Sequence, residues 1–73
     1  MGRLELPLPE LGRGTQFLET SADEMLAKIR ANVPAQYRDS IKVMAFKRRG
    51  SSGLAIEFDD AAETYVHAAV ENP

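Results

Sequence analysis

Two apolar runs separated by a short glycine-rich stretch constrain this chain more than any other feature. Ile41 to Arg48 (IKVMAFKR) is rich in β-branched and aromatic residues. Leu54 to Phe58 (LAIEF) alternates, with Leu54, Ile56 and Phe58 on one face and Ala55 and Glu57 on the other. Between them lies Arg49-Gly50-Ser51-Ser52-Gly53, whose glycines tolerate the positive φ that tight turns need. The pattern predicts a β-hairpin. A lone hairpin is at best marginally stable in water, so other elements must cover one of its faces.

Two helices are predicted to do so. Ser21 and Glu24 fit a capping box, in which each side chain satisfies a backbone N–H left open at a helix start. Ala22, Met25, Leu26, Ile29 and Val33 then recur at helical spacing. Glu24 and Lys28 stand four apart in the favourable order, and Asn32 and Pro34 end the run. The first helix is therefore expected over residues 21–32. Asp60 and Glu63, with Asp59, mark a second start, followed by an apolar face of Ala62, Tyr65, Val66, Ala69 and Val70. A short strand is expected over residues 15–20 (TQFLET). The order is then (β)-α-β-β-α, an α+β fold of the small two-layer sandwich type.

The first fourteen residues read differently. Leu4, Leu6 and Leu8 alternate with Glu5, Pro7 and Pro9, which is the period of a strand. Proline cannot donate a ladder hydrogen bond, so a central strand is excluded. An edge strand, a polyproline-like arm and a disordered tail remain, and Gly12-Arg13-Gly14 reads as a hinge. Residues 1–14 are expected to be a flexible N-terminal arm, and 15–73 a single α+β domain.

The hairpin also sets up a functional expectation. Its first strand is apolar at both parities, with Ile41, Val43 and Ala45 on one face and Met44 and Phe46 on the other. Two helices cover only one side of a small sheet, so large apolar groups stay on the second side. Either the N-terminal leucines and the sheet's twist bury them, or they mark an interface.

Composition narrows the classes. With 73 residues and no Cys, the chain has neither disulfides nor a thiolate metal site to supplement its core. A core of this size rarely supplies more than about 3–5 kcal/mol, which favours self-association or a macromolecular partner. No run reaches the roughly 20 apolar residues of a membrane span, and no long apolar leader is seen, so a cytoplasmic location is expected. The formal net charge of −2 conceals a strong polarity. Residues 41–49 hold Lys42, Lys47, Arg48 and Arg49 and no acid. Residues 50–73 hold Glu57, Asp59, Asp60, Glu63 and Glu71 and no Lys or Arg.

Arg and Lys at a hairpin tip suit an acidic protein surface or a phosphate backbone. The loop lacks the interleaved aromatics of single-strand binders, and G-x-x-x-x-G-K-[ST] is absent. Glu63 and His67 stand at metal-ligand spacing, but the acids around them already have capping roles, so neither a metal nor a cofactor is expected. No base is placed beside Ser51 or Ser52, so no enzyme activity is expected.

The expected function is that of a small non-enzymatic protein-binding regulator. Very small, Cys-free, acidic chains with lopsided charge fit the profile of phage or mobile-element inhibitors of a host complex in transcription or defence. Lys42, Lys47, Arg48 and Arg49 would be its electrostatic anchor. Leu4, Leu6 and Leu8, or Met44 and Phe46, would be its apolar anchor. The alternatives are a nucleic-acid-binding module using the basic hairpin Lys47–Gly53, and a homo-oligomeric structural protein such as a homo-dimer.

Overall fold

The computed structural model describes residues 1–8 and 14–71. In chain order its elements are β1 (Gly2–Pro7), α1 (Gly14–Asn32), a 3-10 turn (Ala35–Ser40), β2 (Lys42–Arg48), β3 (Ser51–Phe58), a second 3-10 turn (Asp60–Ala62) and α2 (Glu63–Glu71). The α+β order matches the expectation. The strands form one antiparallel sheet in the order β1-β3-β2. The two outer strands run parallel to each other with β3 between them, which is a split β-α-β unit.

The hairpin is tighter than its composition suggests. Arg48 pairs with Ser51, so only Arg49 and Gly50 are left for the turn. Gly50 holds the positive φ, at 83°. Ser51 to Gly53 are not loop but the first residues of β3. Their hydroxyls and glycine read as turn chemistry, yet all three pair with β2, and Gly53 pairs with Pro7 of β1 as well.

The leading strand is supplied by residues 2–7, not by 15–20. Of the three readings left open for the N-terminal segment, the edge strand describes Gly2–Pro7. The rest of that segment's prolines and its hinge glycine Gly12 lie outside the described residues. Ser52 fixes the end of β1 twice. The Leu8 N–H donates to the Ser52 carbonyl at 2.9 Å, and the Ser52 hydroxyl donates to the Leu8 carbonyl at 2.9 Å.

The stretch expected as a strand is the first part of α1. Leu18 stands four residues before Ala22 and extends the buried stripe Ala22, Ile29, Val33 backwards by one turn. Ser21 is therefore inside the helix, and the expected capping box does not start it. At the other end the Asn32 side chain donates to the Lys28 carbonyl at 2.7 Å, and Arg38 Nε donates to the Arg30 carbonyl at 3.1 Å. The second of these bonds satisfies a carbonyl of the last turn that the helix itself leaves open. Before α2 the capping role falls to Asp59, whose carboxylate accepts from the Ala61 N–H at 3.0 Å. A 3-10 turn precedes the helix, so the cap sits one residue earlier than Asp60.

Both helices lie on one face of the sheet. Cross-strand partners share a face, so Leu4, Ile56 and Val43 form one row on the helix side. Leu6, Leu54 and Ala45 form the next. Ile29, Val33, Ile41, Ile56, Phe58, Ala62, Val66 and Ala69 make up the core, with Leu4, Leu6 and Val43 packed against it. Gly2 lies against the Phe58 ring, where a Cβ would collide.

Candidate interaction surface

Among the described residues the other sheet face carries no helix. Its rows, read from β1 to β2, are Arg3, Glu57, Lys42, then Glu5, Ala55, Met44, then Pro7, Gly53, Phe46. Small residues hold the centre of the two lower rows, and long side chains lean over them from the outer strands. Arg48, one pair further along β2, shares this face.

The charges on this face are joined across the sheet. Arg48 donates to both Glu5 oxygens, at 3.2 and 3.0 Å, in a two-pronged contact. Arg3 bridges Glu5 at 3.2 Å and Glu57 at 3.1 Å. The Arg48 hydrogen bonds, and then those from Arg3, hold the Glu5 carboxyl below its ordinary pKa. The same contact raises the pKa of Arg48. The Arg48 guanidinium also lies 4.6 Å from the centre of the Phe46 ring.

The four cations singled out in the sequence therefore divide. Arg48 is committed to Glu5 and Phe46, and Lys47 has a partner within the chain. Among the described residues Lys42 and Arg49 form no ion pair, and both are exposed. Lys42 opens β2 and Arg49 follows its last residue in the turn, with Met44 and Phe46 between them in sequence on the uncovered face. Met44 is 42% exposed, and Phe46 is half-buried under Arg48.

The leucines take a different position. Leu4, Leu6 and Leu8 are half-buried on the helix side, and Leu4 and Leu6 pack against the core. They complete the fold from within. Of the two apolar sets expected to meet a partner, only Met44 and Phe46 lie on the uncovered face.

Ser52 is buried and bonded to Leu8, and so belongs to the sheet's scaffold. A concavity of about 620 Å³ opens beside the turn, lined by Pro7, Leu8, Lys47, Arg48, Arg49 and Ser51 among others. Glu63 lies 3.8 Å from His67, whose ring is edge-on to Phe58. No helix is long and apolar enough to cross a membrane among the described residues.

Sequence reasoning missed Glu5 and Arg3. Their role depends on β1 lying beside β3, and the alternation of charge with leucine along Arg3 to Leu6 was the available signal. No family model matches the chain, and neither a curated protein nor a solved structure does.

Proposed function

We propose that this chain is a non-enzymatic protein-binding module, a regulator that acts by occupying a partner's surface. The observation that carries this reading is the uncovered sheet face. It presents Met44 and Phe46 side by side, flanked by Lys42 and Arg49, which form no ion pair among the described residues. An apolar centre with a charged rim is the common anatomy of an interface. Met is well suited to such a centre because its thioether chain adapts to the opposing surface.

Contact with an acidic protein is favoured over contact with nucleic acid. A phosphate backbone is gripped in proportion to the number of cations that neutralise it. Here Arg48 is already neutralised by Glu5, and Glu57 shares the face with Lys42.

The test is recovery of a partner from the native host with tagged protein, followed by cross-linking. Recovery of one protein partner is expected, and Met44→Glu should lower it about tenfold, the factor that follows from losing roughly 1.4 kcal/mol at a central contact. Met44 is exposed, so the variant should retain its circular dichroism spectrum. Recovery of nothing above a tag-only control, or equal recovery by the variant, would overturn the reading.

A further inference from the structure

We infer that β2 receives an acidic, extended segment of a partner protein as a fourth strand of the sheet. This rests on the protein-binding reading above and names the segment that would be bound and the edge that binds it.

The direction of the backbone groups comes first. In an antiparallel ladder, alternate residues bond to the neighbour and the others point away from it. Arg48 and Ser51 close a two-residue turn, so Lys42, Met44, Phe46 and Arg48 bond to β3. Val43 and Ala45 therefore turn their N–H and C=O groups outward along the open edge, since β2 is the last strand of the sheet. A strand placed there would meet a backbone already spaced for pairing.

The opposite edge lacks this. Leu8 donates to Ser52, so the even-numbered residues of β1 bond to β3 and the odd-numbered ones point outward. Pro7 is an outward residue and has no N–H to offer. The charged side chains of β1 are Arg3 and Glu5, which lie on the uncovered face and are paired with each other. No proline occurs in β2, and every charged side chain in it is positive.

Charge selects the occupant. If a second copy of β2 paired antiparallel about Ala45, Lys42 would stand opposite Arg48 at both ends. Like charges directly opposite each other destabilise a ladder. Arg48 is held by Glu5, so the charges that favour an acidic strand are Lys42 and Arg49, which form no ion pair among the described residues. Its side chains on the uncovered face would lie beside Lys42, Met44, Phe46 and Arg48. The best match has acids at the two ends and apolar residues between them.

The probe is a capped seven-residue peptide, Glu-Thr-Val-Thr-Val-Thr-Glu, titrated into the full chain and followed by amide NMR. The Val43 and Ala45 amides are expected to shift and to gain protection from exchange. Replacing both terminal glutamates with lysine should weaken binding about tenfold, because a lysine then stands opposite Lys42. N-methylation of the three threonines removes the peptide's ladder donors without changing its charge, and should abolish binding. Ala45→Pro, which removes an outward N–H only, should do the same from the protein side.

Binding of the peptide with no change in exchange at Val43 and Ala45, and undiminished by N-methylation, would overturn strand addition. If Met44→Glu still lowered partner recovery, the protein-binding reading would stand without it. No binding of the peptide, a dimer by sedimentation that protects the same two amides, or tighter binding of a single-stranded oligonucleotide than of the peptide would each overturn the inference as well.

Discussion

The two outer strands of the sheet flank the same central strand, and each has a row of backbone groups that β3 does not use. They finish that row differently. β1 places Pro7 on it and ties Arg3 and Glu5 to each other across it. β2 places Val43 and Ala45 on it and surrounds them with cations. An exposed sheet edge is a template for further pairing, and proline and lysine are two means of limiting that. Proline blocks any incoming strand. Positive charge blocks another copy of itself but not an acidic strand. The difference separates an edge closed to all partners from an edge selective for one kind.

Proline substitution breaks this comparison most directly. Met44 donates into the ladder with β3, so Met44→Pro should cost up to about 3 kcal/mol by leaving its acceptor unpaired. On a core worth at most about 3–5 kcal/mol, that variant should lose most of its stability. Ala45→Pro, one residue along, should cost under about 1 kcal/mol, because its N–H points away from the sheet as that of Pro7 would. Urea denaturation of both variants checks the parity. Similar losses for the two would mean that β2 is not an edge of this register.

Gly53→Ala should come next and act on the other edge. A Cβ at Gly53 would run into the backbone carbonyl of Leu6. Overpacking of this kind costs about 1–3 kcal/mol. The strain falls between β3 and β1, so hydrogen exchange should quicken in Gly2–Pro7 more than in Lys42–Arg48. Equal quickening in both strands would show that the sheet opens as one unit.

The hairpin and the second helix were legible because their local signals do not depend on a distant partner. Leu54, Ile56 and Phe58 alternate, and Gly50 supplies the turn. Residues 15–20 were misread because six residues fit either period, and only the four-residue step from Leu18 to Ala22 favours the helix. The prolines of the N-terminal segment argued against a central strand there and left an edge strand as one of three readings. What reconciles Pro7 with a strand is the side on which its missing N–H falls, and that depends on which strand lies next to it. The same holds for the site. Four cations were visible in the sequence, but Glu5, which engages one of them, is 43 residues from Arg48 in the chain.

Gly50→Ala should cost about 1 kcal/mol, because φ at this position is one that L-residues avoid while the space around it is open. That loss is conformational and confined to the turn. It should lower the urea midpoint without changing the slope, and leave exchange in β1 as it is. A changed slope would mean that the turn holds more of the sheet together than its two residues suggest.

The smallest effect tests the contact that spans the two edges. Glu5 on β1 is held by Arg48 on β2, reaching over β3. Its folded pKa lies below the ordinary 4.5, chiefly through Arg48 and then through Arg3. A depressed carboxyl pKa stabilises the fold above the unfolded value and loses that contribution as pH falls through the folded value. The stability difference between the wild type and Glu5→Gln should therefore be level from neutral pH to about 5, and should vanish in stronger acid. Glu5 is exposed at the surface, so the sign and the window are the prediction. Carbon-detected NMR titration of the Glu5 carboxyl reads the pKa directly. Arg48→Ala should move the midpoint back toward 4.5 by more than Arg3→Ala does. The reverse order would mean that β1 neutralises its own acid, and that Arg48 is available to a partner along with Lys42 and Arg49.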